Sequence, residues 1–561
     1  MGHSDRHPAS PRWRWSPRAV IAVIAVVGFG LLAVAWAMAD PPGAPPDEAT
    51  NFVRAVAVGR GEWRGTAPAP ASTAAAVAPA RGDPLATMLA WQLRTTRVFD
   101  VPVRLDPVPF TCLPVDPNVS AACLSARPRP GPGARRTGDE AIPSYVGTYQ
   151  PVGFVAAGVA SRGADDAATA LRLARLGDVA LWVALAAMAL AVLGDRRRPG
   201  LCLLGPVVAV TPMAVFLGAS VSPNGIEIAA AVALWAALLR VARPEPPPVW
   251  AWVVVAVSGV LLAFTRSLGP VFLAFPVVAS IVLLGPRQAW QRLRLGGGAA
   301  AGAVVAVAAA VAGSAVWEAA FQPHAAVSGA VFRHWAMPSV RELPEVFREH
   351  VGLFGPLAVP MNAAAYWVWA AITVAVVVAA VAVGSRRERL VLAATLAAVP
   401  VVSVLVSAAV VHQTGFGMQG RYISALAVAV PLLAGEVLWR NRDKVSARAG
   451  AALVAVTAGS ASAVQLLAWY SNARRYAVGT QGPRLFIGSA QWSPPAGWWV
   501  WLAVAVAGAG LVAAAAIAAA AAELSGRRAE PRRSFRDFYP WRLGNARGTT
   551  AAGRAVGVRP R

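Results

Sequence analysis

Apolar runs of about 20 residues recur along almost the whole chain, and arginine clusters fill alternate gaps between them. A run of that length, coiled at ~1.5 Å per residue, spans the ~30 Å hydrocarbon core of a bilayer. Lipid offers backbone groups no partners, so such runs are satisfied internally, as helices. The runs fall at 19–39, 169–194, 201–220, 224–242, 249–267, 269–285, 297–319, 366–384, 389–411, 421–439, 447–468 and 498–522. The expected fold class is therefore an all-α integral membrane protein of about 12 transmembrane helices.

Arg196 to Arg198, Arg240 with Arg243, Arg287 to Arg294, Arg386 to Arg389, Arg440 to Arg448 and the tail from Arg527 all fall on one side of this pattern. Excess positive charge marks the cytoplasmic side. An even number of crossings puts both termini there, as a basic segment at 1–18 and a basic tail at 523–561, around a polytopic membrane domain at 169–522. The expected location is the plasma membrane. The other side receives the long segments 40–168, 321–365, 412–420 and 469–497.

The formal net charge of +24 would suggest nucleic acid, but its alternation along the chain assigns it to membrane orientation instead. The chain is 57% hydrophobic and Lys444 is its only lysine, which excludes a phosphate-binding P-loop. Metalloprotease, CxxC and nucleophile-elbow motifs are also missing from the sequence.

The first apolar run ends in Ala37-Met38-Ala39, which looks like a signal-peptidase site, but it is longer than a signal peptide's apolar core and reads better as an uncleaved anchor. Beyond it lies the long first extracytoplasmic loop, 40–168. Pro45-Pro46-Asp47-Glu48 opens this loop, and the prolines favour a helix start with Asp47 as its N-cap. Phe52, Val53, Val56 and Ala57 share a face of that helix, as in an amphipathic helix lying in the membrane interface. Two adjacent carboxylates at a membrane surface repel anionic headgroups, so Asp47 has two readings, a plain cap or a catalytic base. Downstream come a Pro/Ala-rich piece from Thr66 to Pro84, a linker from Arg127 to Arg136, and Tyr145 to Pro151 returning to the membrane. Cys112 and Cys123 sit in the same polar loop, paired if it faces an oxidising compartment and free thiols otherwise.

Arginines on the outer side run against the orientation rule and so merit weighing. Arg172 and Arg175 open the second run, Arg266 ends the fifth, and Arg421 opens the tenth beside Tyr422. A guanidinium suits phosphate through its planar fork, although each of these also suits a headgroup anchor. Asn224, in the turn Ser222-Pro223-Asn224-Gly225, suits a sugar hydroxyl or simply the turn. His324, His334, His350 and His412 fall in outer loops with no metal-ligand spacing, and read as solvated.

In order along the chain stand Pro45 to Glu48 with Phe52 and Arg54, Tyr149-Gln150-Pro151, Ser222 to Gly225, Arg266 to Pro270, His350 to Gly355 and Gln419-Gly420-Arg421-Tyr422. Together they resemble a bacterial family of multi-pass membrane proteins carrying a domain of unknown function, itself regarded as similar to the GT-C glycosyltransferases. That resemblance implies transfer of a sugar from a polyprenyl-phosphate carrier on the outer face to a cell-envelope glycan or glycoprotein. Asp47 and Glu48 stand where its acidic motif belongs. The family often has a histidine four residues after the aspartate; here that residue is Asn51.

The resulting expectation is an enzyme with Asp47 as base and Glu48 assisting or holding a divalent metal. Arg266 and Arg421 would bind the carrier phosphate, with Tyr149, Tyr422, Asn224, Arg172 and Arg175 as further substrate-binding candidates. No cofactor is implied beyond that optional metal, and nucleic acid is not an expected partner. The rival readings are a transporter or flippase of lipid-linked sugars and a non-catalytic assembly subunit. Paired repeats around mid-membrane polar sites would mark a transporter, and the sequence shows no clear duplication.

Overall fold

The computed structural model describes residues 17–68, 83–113, 116–125, 138–195, 198–323 and 327–529. Residues 1–16 of the N-terminal basic segment, most of the Pro/Ala-rich piece, the 127–136 linker, Arg196, Arg197, His324 and the tail from 530 lie outside the described residues.

The chain is built on helices, as the apolar runs require. In order these are α1 (Pro17–Ala39), α2 (Glu48–Gly59), α3 (Pro84–Thr95), α4 (Val155–Ser161), α5 (Ala167–Leu193), α6 (Pro199–Ala209), α7 (Pro212–Gly218), α8 (Pro223–Val241), α9 (Val249–Thr265), α10 (Gly269–Leu284), α11 (Pro286–Phe321), α12 (Gly329–Arg341), α13 (Leu343–Gly352), α14 (Ala363–Val383), α15 (Arg386–Thr414), α16 (Gly420–Ala427), α17 (Ala429–Arg440), α18 (Ala447–Val478) and α19 (Gly497–Ala529). Among the described residues nine helical stretches, α16 and α17 counting as one, are long and apolar enough to cross a membrane. A tenth arises if α6 and α7, bent by 72°, form one span. The apolar helices α9 and α10 are shorter, with 17 and 16 residues.

Breaks in the helices have local causes. Val210 and Thr211 separate α6 from α7, where Pro212 lacks an amide proton for α-helical bonding and Thr211 caps the new helix through Ala214 N. In α11 the backbone turns left-handed at Gly297, so its arginine-bearing start is a separate helical piece from the apolar remainder. Small residues let helices approach closely: the first and last helices cross where Gly28 meets Gly508, and an added Cβ on either would lie within 3 Å of the other's backbone.

Polar groups gather at the two ends of the bundle. At one end Arg243 pairs with Glu436, Arg440 reaches the same Glu436, and Arg198 pairs with Glu523. Glu523 Oε1 also accepts from Gly200 N and Leu201 N, the open first turn of α6. The opposite end carries Asp47, Arg175, Arg266, Arg421 and Arg475.

The long segment that follows α1 folds into a lobe with its own core. Strands β1 (Arg97–Pro102) and β2 (Asp139–Ser144) pair antiparallel over α2, and Phe52, Phe99, Val101, Phe110 and Phe154 are buried between them and α4. This corrects the interfacial reading of α2: every residue of it except Ala49 is buried. Arg54 explains why the sequence pattern misled. Its Nη2 donates to Trp63 O and Tyr149 O, and its guanidinium stacks 5.0 Å from the Phe99 ring centroid, so a charged residue sits inside the lobe. Gly59 and Gly158 let α2 and α4 touch backbone to backbone. The Cys112 and Cys123 sulfurs are bonded. The loop they close docks on the end of α18, where Arg475 donates to Val119 O and Asp116 O.

Candidate functional site

Between α1 and α2 the chain turns back through Asp40 to Asp47, and one buried side chain shapes the turn. Arg175 of α5 donates from Nη1 to Ala37 O and Asp40 O, from Nη2 to Pro41 O and Glu48 Oε2, and from Nε to Glu48 Oε1, at 2.5 to 2.9 Å. All five guanidinium N–H groups are thereby used. Glu48 receives two more bonds, from Gly43 N at 3.0 Å and Val221 N at 3.2 Å. Its four lone-pair positions are therefore filled and it is 1% exposed. Nothing remains on Glu48 to hold a metal or accept a proton, and Arg175 faces it rather than a ligand.

Asp47 has a different environment. It occupies the N-cap position of α2, but with φ 59° and no cap bond from its side chain. The left-handed conformation costs a non-glycine residue roughly 1–3 kcal/mol, least for Asp and Asn. It turns the carboxylate away from the helix and into a cavity of about 240 Å³. There Oδ1 accepts from the Tyr145 hydroxyl at 2.8 Å, and Oδ2 lies 3.0 Å from Arg421 Nη1. The Asp47 side chain keeps 33% of its surface accessible, against 7% for Arg421.

Arg421 is held in turn by its own neighbours. Its Nε donates to Gln419 Oε1 at 2.7 Å and its Nη2 to the Tyr422 hydroxyl at 2.9 Å. The Tyr422 ring also faces Arg266, whose guanidinium carbon lies 4.6 Å from its centroid and 5.2 Å from that of Tyr149. Arg266 donates to Asn224 Oδ1 and stands 4.0 Å from the buried Glu227. Burial and the neighbouring Asp47 carboxylate push the Tyr145 hydroxyl well above its ordinary range, and burial pushes Tyr149 up to about 12. Both phenols therefore remain protonated donors near neutrality.

The residues singled out from sequence thus divide. Asp47, Tyr149, Arg421 and Tyr422 line one cavity. Arg266 adjoins it through the two tyrosine rings, with Asn224 behind. Glu48 and Arg175 form the buried pair that shapes the Asp47 turn, and Arg172 is not among the cavity's lining residues. Sequence reasoning missed Tyr145 as Asp47's partner and the contribution of α3, which supplies Met88, Trp91, Gln92 and Thr95 to the wall. The available signal for α3 was the Asp83-Pro84 start, whose Oδ1 accepts from Leu85 N. His350, read as solvated, is partly buried, with Nδ1 2.8 Å from Ser424 Oγ. No three His, Cys, Asp or Glu side chains converge as a metal site among the described residues.

Three non-glycine residues have positive φ among the described residues, Asp47, Leu357 and Ala496, and the first two line this cavity. Strained backbone of this kind concentrates at functional sites. Residues 29–430, which include every lining residue, match the family model described as "Predicted membrane protein (DUF2142)". No curated protein and no solved structure matches the chain.

Proposed function

The chain belongs to the DUF2142 family of predicted membrane proteins, and on that premise we infer that it is a glycosyltransferase similar to the GT-C class. It uses a polyprenyl-phosphate-linked sugar and an acceptor of the cell envelope, such as a glycan or glycoprotein. The observation that carries this reading is the Asp47 carboxylate, aimed into a cavity and paired there with a buried guanidinium. Asp47 and Arg421 are the two kinds of group that an inverting sugar transfer needs, a proton acceptor and a phosphate partner.

The pair also suggests an order of events. With Arg421 on Oδ2 and Tyr145 on Oδ1, both carboxylate oxygens are engaged before a substrate enters. A phosphate entering the cavity competes for the Arg421 fork and releases Oδ2. The freed oxygen then takes the proton of an acceptor hydroxyl while the acceptor oxygen bonds to the sugar anomeric carbon. The bond from that carbon to the carrier phosphate breaks, and its electron pair leaves on the phosphate beside Arg421 and Arg266.

The arginine-rich end of the bundle is the cytoplasmic one in this reading, so both termini are cytoplasmic, the cavity opens outside, and the membrane is the plasma membrane. Counting α6 with α7 as one span and including the short α9 and α10 brings the crossings to twelve. A carrier would use the broken α6–α7 span as a substrate site. There, however, Val210 O accepts from Gln465 Nε2 and Thr211 Oγ1 donates to His350 O, so protein groups occupy the break. Purified protein incubated with radiolabelled polyprenyl-phosphate sugars and envelope acceptors should release free lipid phosphate. Transport of the intact lipid-linked sugar without its cleavage would favour the carrier instead.

A further inference from the structure

The cavity beside Asp47 is far larger than one phosphate fills, at about 240 Å³. Among the described residues two charged side chains line it, Asp47 and Arg421, and they face each other at 3.0 Å. The remainder of the described wall is uncharged. Trp91 and Gln92 come from α3, and Phe416 and Gln419 from the turn that precedes α16. An aromatic face with neighbouring amides matches a sugar ring, which has an apolar C–H face and a rim of hydroxyls that both donate and accept. A charged sugar would lose hydration here without gaining a counter-charge, and is disfavoured for that reason.

We propose that the α3 wall of this cavity is a subsite for an uncharged sugar ring, which stacks on Trp91 and hydrogen-bonds to the amides of Gln92 and Gln419. The site's place in a reaction rests on the transferase reading; the binding itself does not.

The platform is fixed by the fold. Trp91 stands on a regular helix anchored at its start by the Asp83 cap and at its end by Arg94 Nη2, which donates to Gln413 O at the end of α15. The Arg94 guanidinium carbon also lies 5.6 Å from the Trp91 ring centroid, a cation–π contact that steadies the ring. Gln419 gives its carbonyl oxygen to Arg421, and its amide nitrogen has no partner among the described residues.

Saturation-transfer NMR on the full chain in nanodiscs tests the site without requiring turnover. The probes are methyl glycosides of a neutral hexose, a uronic acid and an amino sugar. The neutral glycoside should show transfer and saturate, and the two charged ones should not. Trp91→Ala should weaken its binding roughly tenfold, while Trp91→Phe, which keeps a flat ring, should stay close to wild type. Gln92→Ala removes no ring and should weaken it severalfold, which keeps the test open if Trp91→Ala folds poorly. Equal affinity in wild type, Trp91→Ala and Gln92→Ala would overturn the proposal, as would equal binding of the charged glycosides or no transfer from any probe. If Trp91-dependent binding is found but lipid phosphate is never released, the sugar site stands and the transferase reading falls.

Discussion

Arg421 places Nη1 3.0 Å from Oδ2 of Asp47, so the Gln419-Gly420-Arg421-Tyr422 motif closes directly on the Pro45-Pro46-Asp47-Glu48 motif. The two stretches lie near opposite ends of the family-matched region. Only the fold unites them, and each then limits what the other does. Asp47 holds the guanidinium inside the cavity, and Arg421 occupies one oxygen of the carboxylate.

Glu48→Gln and Arg175→Met should be folding defects rather than catalytic ones. Each removes one partner of a fully buried pair, which typically costs 3–5 kcal/mol, and Arg175 also holds three backbone carbonyls of the Asp47 turn. Lower yield and a lower Tm are expected for both in detergent. A Glu48→Gln protein of wild-type Tm and greatly reduced turnover would instead give Glu48 a chemical role.

Asp40, just ahead of this turn, should leave a pH signature on stability. Burial pushes its carboxyl up to about 7 against the pull of Arg175 and Asn472, from an ordinary value of 3.8. The folded state therefore binds the extra proton between those values. Its contribution is fully present below about 4 and is lost as pH rises through about 7. The Tm difference between Asp40→Asn and wild type should widen in the variant's favour across that window. A constant difference would show that Asp40 does not titrate there.

Arg421→Lys keeps a positive charge but loses the fork that engages Asp47, Gln419 and Tyr422 together. A lysine reaches one of these at a time. Binding of a polyprenyl phosphate should weaken by about tenfold or more, with insertion unchanged. Unaltered affinity would reduce Arg421 to a structural partner of Asp47.

Much of the architecture could be read from the sequence because bilayer thickness sets a length and arginine placement sets a side. The apolar runs and the two charged ends followed from these alone, whereas the family membership was legible in the short motifs between Pro45 and Tyr422. The environment of α2 did not, because Arg54 looks like a surface residue until Trp63, Tyr149 and Phe99 are brought around it. Asp47 and Glu48 are neighbours with opposite fates. A single left-handed residue turns one carboxylate into the cavity while helix geometry points the other at Arg175, and sequence carries no sign of that turn. Trp91 escaped notice because α3 follows the Pro/Ala-rich piece and its partner α15 is far along the chain.

The most direct measurement is the rate of lipid-phosphate release by Asp47→Asn beside wild type, at matched expression and Tm. Asparagine is nearly the same size and tolerates the left-handed backbone about as well, but it cannot take up a proton. Turnover should fall by roughly 10²–10⁴-fold, the usual share of general-base catalysis. A stably inserted Asp47→Asn protein with wild-type turnover would contradict the account.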